Sequence, residues 1–333
     1  MGTESSLSGV GARDSGLERA EPAKAPVRIA VIGVGHLGKH HARILSTLAG
    51  ATLVGVVDKI PERAAEIAAA HHTRAIGDAG ELIGAVDAVT IAVPTEAHRE
   101  VALPFLERGI GVLVEKPMAR SLAEADEMIA AAAASGAVLA VGHTERYNPA
   151  VAAVLPLVTS PRFIEVHRLG VFPERSLDID VVFDLMIHDL DVILSLVRSD
   201  VTAVEAVGVP VLTPRYDIAN ARLRFASGCI ANVTASRISK ERVRKIRFFQ
   251  PDAYLSIDYA AQEVEGWRLV RRDGARPSIQ GGPLPVVRDE PLRVELADYV
   301  RAVRERSAPT VDGAAGRRAL ALATAIAEKM ESV

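Results

Sequence analysis

The sequence has 333 residues, of which 49% are hydrophobic and 24% charged, with a net charge of −3 and one cysteine. This length exceeds one ordinary hydrophobic core and implies two domains, while the composition excludes a disordered or fibrous chain. The near-neutral balance provides no global cationic field for nucleic acid or an anionic membrane, and the lone Cys229, in an apolar run, excludes an internal disulfide and fits a reducing, cytoplasmic setting.

Residues 1–25 are rich in Gly, Ser, Glu and Ala, lack the apolar core of a signal peptide, and read as a disordered tail. From residue 27 short β-rich runs alternate with helical patterns: a strand over 27–32, a helix over 35–48, a strand over 53–57 and a helix from Pro61 form a βαβ unit. Further strands at 75–76, 88–93, 112–115 and 138–142, with Ala-rich helices between them, make residues 26–145 a doubly wound α/β Rossmann domain with a parallel sheet. No run reaches the roughly 20 apolar residues of a spanning helix, because Ser135 and Gly136 interrupt the Ala-rich stretch at 128–141.

The grammar changes after Pro149. One helix over 184–197 is followed by strand-like runs at 201–209, 217–225, 229–236, 244–249, 253–258 and 263–270, which implies an α+β domain over 146–333 with a mostly antiparallel sheet. A run of Lys240, Arg242, Arg244, Lys245 and Arg247 fits solvated strand edges rather than a nucleic-acid surface. Helices over 292–304 and 313–330 close the sequence and are expected to pack back on the first domain.

Gly33, Gly35 and Gly38 form a G-x-G-x-x-G loop, with His36 and Leu37 inside it, between the first strand and the first helix. In that context the first glycine makes the turn, the second lets backbone approach a pyrophosphate and the third lets helix and strand pack closely. Asp58 ends the second strand 25 residues after Gly33, where a carboxylate accepts from adenosine ribose hydroxyls and repels a 2′-phosphate; this favours NAD, and the other reading of Asp58 is a cap for the helix at Pro61. Pro94-Thr95 and Glu115-Lys116-Pro117 end later strands at the same carboxyl edge. Lys116 thus reaches the cofactor crevice, where desolvation lowers an ammonium pKa and lets it take a substrate hydroxyl proton; the alternative is a surface lysine paired with Glu115.

Asp184 and His188 stand four apart and share a helical face, so an acid beside an imidazole supplies a second proton-handling group. A metal site at His188, Asp189 and Asp191 is the competing reading; no second histidine lies at ligand spacing, and no metal is expected. A buried structural histidine is the other.

With these motifs in this order, the sequence resembles the Gfo/Idh/MocA oxidoreductase family over nearly everything after residue 26. The resemblance implies a Rossmann domain plus a large open sheet used for homo-oligomer contacts, and NAD-dependent oxidation of a sugar or cyclitol at one ring carbon. It makes Lys116 catalytic, Pro117 commonly cis, Asp184 and His188 the rest of the site, and Gly33, Gly35, Gly38, Asp58, Pro94, Thr95, His98 and Glu115 cofactor positions. Residues 142–149 and 180–191 further resemble the branch acting at C3 of UDP-N-acetylglucosamine or its uronic acid, whose 3-keto product passes to an aminotransferase for lipid A. On that likeness His143, Arg146, Tyr147 and Asn148 are substrate residues, and Arg146, Arg168 and Arg237 are candidate diphosphate cations or, equally, ion-pair partners. A free cyclitol or aldose as substrate, and a non-catalytic NAD sensor on the same fold, are the alternatives.

Overall fold

In a computed structural model, residues 25–172, 179–271 and 276–330 are described, so the expected tail lies outside the described residues except for Ala25. Six parallel strands, β1 (Val27–Ile32), β2 (Ala51–Val57), β3 (Arg74–Ile76), β4 (Ala88–Ile91), β5 (Gly111–Glu115) and β6 (Leu139–Gly142), form one sheet in the order β3-β2-β1-β4-β5-β6. Strands β4 and β5 are buried along their whole length, as expected when helices cover both faces. The helices are α1 (Gly38–Leu45), α2 (Pro61–Ala70), α3 (His98–Leu106) and α4 (Leu122–Ser135). The last of these starts on the Ser121 side chain, which accepts from the Glu124 amide, and stops at left-handed Gly136.

The second sheet has eight strands, β7 (Phe163–Leu169), β8 (Val201–Val209), β9 (Ile218–Phe225), β10 (Ile230–Ser236), β11 (Val243–Gln250), β12 (Ala253–Asp258), β13 (Glu263–Val270) and β14 (Ser278–Leu284). Their order is β14-β13-β12-β11-β7-β10-β9-β8, and only β7 and β10 run parallel. Two of these strands escape the hydrophobic pattern. In β7, Glu165, His167 and Arg168 break up the apolar signal, although Ile164 and Val166 are buried. Strand β14 contains Gly281, Gly282 and Pro283 and is tolerated because it lies at the sheet edge; a side chain at Gly281, where φ is 153°, would start 2.0 Å from the Gly266 carbonyl.

The inner face of this sheet packs on α5 (Pro149–Val154) and α6 (Ile187–Leu196), while its outer face mixes polar residues with exposed apolar ones such as Val207, Phe249 and Trp267. The single Cys229 thiol is buried in this core, and burial pushes its pKa up to about 11. Helices α7 (Pro291–Glu305) and α8 (Gly313–Met330) tie the two sheets together. Leu296, Tyr299 and Val300 of α7 are buried against β1 and α1, and burial of an aliphatic side chain of this size contributes about 1.5–3 kcal/mol. Helix α8 touches β6 and α4 on one side and α6 and β8 on the other. No helix among the described residues is long and apolar enough to cross a membrane.

Glu295 of α7 is 1% exposed, and neither carboxyl oxygen has a hydrogen-bond partner among the described residues. Burial, then the nearby Glu115 charge, push its pKa well above the ordinary carboxyl value of 4.5, so the folded protein holds a proton that the unfolded chain releases. Stability associated with Glu295 is therefore full below pH 4.5 and falls as pH rises through the folded pKa. Glu295→Gln is expected to raise the unfolding midpoint at pH 8 by a few degrees and by less at pH 5; an equal change at both pH values in calorimetry would refute the protonated carboxyl.

Candidate active site

The glycine loop divides its work among three positions. Gly33 has φ +84°, and a Cβ there would lie 2.8 Å from the Ala92 carbonyl; one at Gly38 would lie 1.7 Å from the Gly33 carbonyl. A Cβ on Gly35 would meet nothing within 4 Å, so the loop leaves open space over its middle glycine and the start of α1. Leu37 and His36 are exposed beside that space, and the His36 ring meets His40 edge-on at 6.2 Å.

Asp58 is more committed than its sequence position suggests. Its side chain is 3% exposed, and its two oxygens accept from the amides of Val34 and Ile60, both at 2.9 Å, and from Nη2 and Nε of Arg63 at 2.7 and 3.0 Å. Burial alone would raise its pKa, but the Arg63 bond and the two amides hold it below the usual carboxylate value. Asp58 thus stitches the glycine loop to the turn before α2. A ribose contact there requires Arg63 to yield part of the carboxylate. No sequence motif marks Arg63, five residues on, as the partner of Asp58.

Three expected cofactor residues sit differently from one another. Pro94 is exposed and Thr95 half-buried at the end of β4. His98, by contrast, is 1% exposed and turns inward, its Nδ1 3.0 Å from the Pro117 carbonyl and its Nε2 2.9 Å from that of Val93. It braces the turns after β4 and β5 against each other, so both ring nitrogens of this expected cofactor residue are engaged within the protein. Glu115 is likewise turned in: its carboxylate bonds His41 Nε2 at 3.0 Å and lies over Gly142, where a Cβ would come within 2.9 Å of it. Nothing in the sequence marks His41 as its partner.

Lys116, joined to Pro117 by a cis peptide bond, crosses to the second domain. Its Nζ donates to the Asp184 carbonyl at 2.6 Å and lies 3.6 Å from the Asp184 carboxylate. Burial lowers the Lys116 pKa below the ordinary 10.5, with the Asp184 and Glu115 charges opposing the shift. Asp184 lies in a π-helical turn, Val182–Met186, which runs directly into α6.

The expected Asp184–His188 hydrogen bond is absent among the described residues, and His188 Nδ1 has no partner. The reason is electrostatic. Burial, with the charges of Lys116 and Arg168, holds the His188 pKa well below 6.5, and a carboxylate gains more from the Lys116 ammonium than from a neutral imidazole. His188 instead meets the edge of the His143 ring at 6.5 Å.

The residues expected around the substrate are also largely engaged within the protein. Arg146 binds the Asp191 carboxylate through Nε at 2.9 Å and Nη2 at 2.6 Å, and buried Arg168 binds Asp189 at 2.5 and 3.1 Å and Glu145 at 3.0 Å. Buried Arg237 donates to the carbonyls of Ile179 and Tyr216 and lies 3.5 Å from Asp217. Of the two readings of these arginines, diphosphate cation or ion-pair partner, these bonds favour the ion pair. Tyr147 donates to Asp298, Asn148 caps α5 through the Ala150 amide, and His143 is 1% exposed, so none of the three presents a free polar group at the surface of the site.

Residues 27–143 match the oxidoreductase family with an NAD-binding Rossmann fold, and residues 170–251 match the GFO/IDH/MocA C-terminal domain. The chain is 38% identical to the UDP-N-acetylglucosamine 3-dehydrogenase of Acidithiobacillus ferrooxidans, over 92% of this chain and 98% of that one. The chain belongs to the Gfo/Idh/MocA oxidoreductase family. A solved structure of the same Acidithiobacillus ferrooxidans dehydrogenase superposes with a TM-score of 0.86 at 37% identity, again over 92% and 98% of the two chains. Levoglucosan dehydrogenase in complex with NADH shares the fold at TM-score 0.80 and 20% identity, over 92% and 97%. Inositol 2-dehydrogenase of Rhizobium meliloti is 29% identical over 63% of this chain and 69% of its own.

As a Gfo/Idh/MocA dehydrogenase the protein uses NAD. The glycine loop fits that cofactor on its own geometry, because the open space over Gly35 lies where a pyrophosphate needs close backbone approach. Asp58→Ala is expected to weaken NAD binding at least 10-fold and to narrow the preference over NADP, as read by fluorescence titration with both cofactors. An unchanged NAD/NADP ratio would remove Asp58 from cofactor selection.

Proposed function

We propose that this dehydrogenase oxidises a nucleotide sugar, UDP-N-acetylglucosamine, at C3 to the 3-keto sugar. The observation that carries this reading is the 38% identity to a dehydrogenase of that name along nearly the full length of both chains. Residues of the glycine loop with Asp58, Pro94 and Thr95 would hold NAD, which when bound accepts the hydride from the carbinol carbon.

The chain's own part is the proton. Lys116 Nζ, half-buried and lowered in pKa, takes the hydroxyl proton as the carbinol becomes a carbonyl. The Asp184 carbonyl and carboxylate fix that nitrogen and stabilise the ammonium it becomes. His188, kept neutral and partly exposed, lies near Lys116 and serves as a hydrogen-bonding group for the sugar rather than a second charged acid. A 3-keto sugar is a carbonyl substrate for transamination, so an aminotransferase is the expected consumer of the product.

Mixing protein, NAD+ and UDP-N-acetylglucosamine, with a 3-aminotransferase and glutamate to remove product, is expected to raise NADH absorbance. The rate should climb with pH to an inflection below 10.5, since the base is active only when unprotonated, and Lys116→Met should lower it by about 100-fold or more while sparing NAD affinity. Turnover of inositol in place of the nucleotide sugar would discard the substrate, and undiminished turnover by the Met variant would discard the lysine.

The homo-oligomer belongs to the same reading. Phe163, Phe249, Tyr254 and Trp267 align across β7, β11, β12 and β13 on the outer sheet face, with Trp267 41% exposed, and paired charges of both signs flank the row, so one copy of this face can meet another. Sedimentation velocity is expected to find a dimer or larger assembly that Trp267→Glu shifts toward monomer. A monomeric parent protein would end this part of the proposal.

A further inference from the structure

The cationic run at residues 240–247 is divided by the strand that carries it. Lys245 and Arg247 face outward from β11 and are paired, with Asp258 at 3.4 Å and Glu165 at 2.7 Å. Arg244 points to the opposite face, the one on which Ile246 and Phe248 are fully buried. Its cross-strand neighbour there is Arg168, whose guanidinium holds Asp189 and Glu145 and lies 5.3 Å from the centre of the Tyr259 ring.

Arg244 therefore sits beside a cation whose two carboxylates are already engaged. Among the described residues its own side chain has no hydrogen bond or ion pair, and it remains exposed. Burial of part of the side chain and the Arg168 charge lower its pKa, but a guanidinium stays protonated, and its charge is felt at His188. An exposed arginine with no hydrogen bond or ion pair among the described residues, its charge reaching His188 while Arg146, Arg168 and Arg237 are all engaged, is an open position for an anion.

We propose that Arg244 binds the diphosphate of the substrate and so selects nucleotide sugars over free sugars or cyclitols. This rests on the nucleotide-sugar reading above. A planar guanidinium presents paired donors to phosphate oxygens, and Arg244 stands on the face of the sheet that packs on α6, the helix that carries His188.

The test compares the parent protein with Arg244→Gln, Arg244→Lys and, as a control for charge alone, Arg271→Gln, whose residue pairs with Asp252 at the surface. Arg244→Gln should raise KM for UDP-N-acetylglucosamine about 10- to 100-fold, the loss expected for a charge-assisted hydrogen bond, with kcat and KM for NAD changed by less than about 3-fold. Arg244→Lys should fall between, and Arg271→Gln should match the parent. UDP, but not uridine, should raise the melting temperature of the parent and not that of Arg244→Gln, while NAD+ stabilises both and shows that the variant is folded. If Arg244→Gln misfolds, Arg244→Lys decides, because a parental KM and parental UDP protection in it, or in Arg244→Gln, overturn the role of Arg244. A parent protein that UDP does not stabilise and that oxidises only free sugars overturns the nucleotide-sugar reading itself, and this assignment with it.

Discussion

Lys116 reaches from the carboxyl end of β5 to the Asp184 backbone, and that bond joins a strand of the parallel sheet to a turn of the second domain. It is one of three such ties to a short segment. Asp184, Asp189 and Asp191 each meet a cation from a different element: Lys116, Arg168 of β7 and Arg146 of the turn before α5. Breaking one buried partnership would leave an uncompensated charge, at roughly 3–5 kcal/mol. The net worth of an intact pair is smaller, because both ions must first be desolvated. What these pairs confer is position, since each aspartate is held by a cation from a different element, and Arg168 is fixed by Glu145 as well as Asp189.

The same arrangement sets the chemistry. A lysine held against a carbonyl and a carboxylate cannot wander, and its lowered pKa follows from the burial needed to hold it. His188 stays neutral because Lys116 and Arg168 already supply positive charge nearby. His98 and Glu115 brace the strand-end turns around this centre, His98 through two backbone carbonyls and Glu115 through His41.

Much of this was readable because it follows from spacing. The alternation of strand and helix in the first 145 residues, the glycine loop and the strand-end Lys116 all depend on local pattern, and the structure places them accordingly. What spacing did not reveal was partnership across the fold. Asp184 and His188 share a helical register, yet the carboxylate's choice was decided by Lys116, 68 residues away. Arg168 hid both a strand and a buried ion pair, because a charged residue on an inward face breaks the very alternation by which a strand is recognised. Asp58 was assigned to a ligand or to a helix cap, but its amide and Arg63 bonds show that one carboxylate organises the loop and the turn together.

Helix α8 carries a consequence for how such a chain comes to be folded. Gly313 and Gly316 let it lie against Leu139 and Val141, and residues 311–312 bond the free side of β6. The outer edge of the parallel sheet is thus finished by residues synthesised long after the sheet itself. During translation β6 emerges with its edge uncovered, and the first domain must wait, unsealed, for nearly the whole of the second to leave the ribosome. Chaperone dependence and sensitivity to C-terminal truncation should accordingly be properties of the N-terminal half.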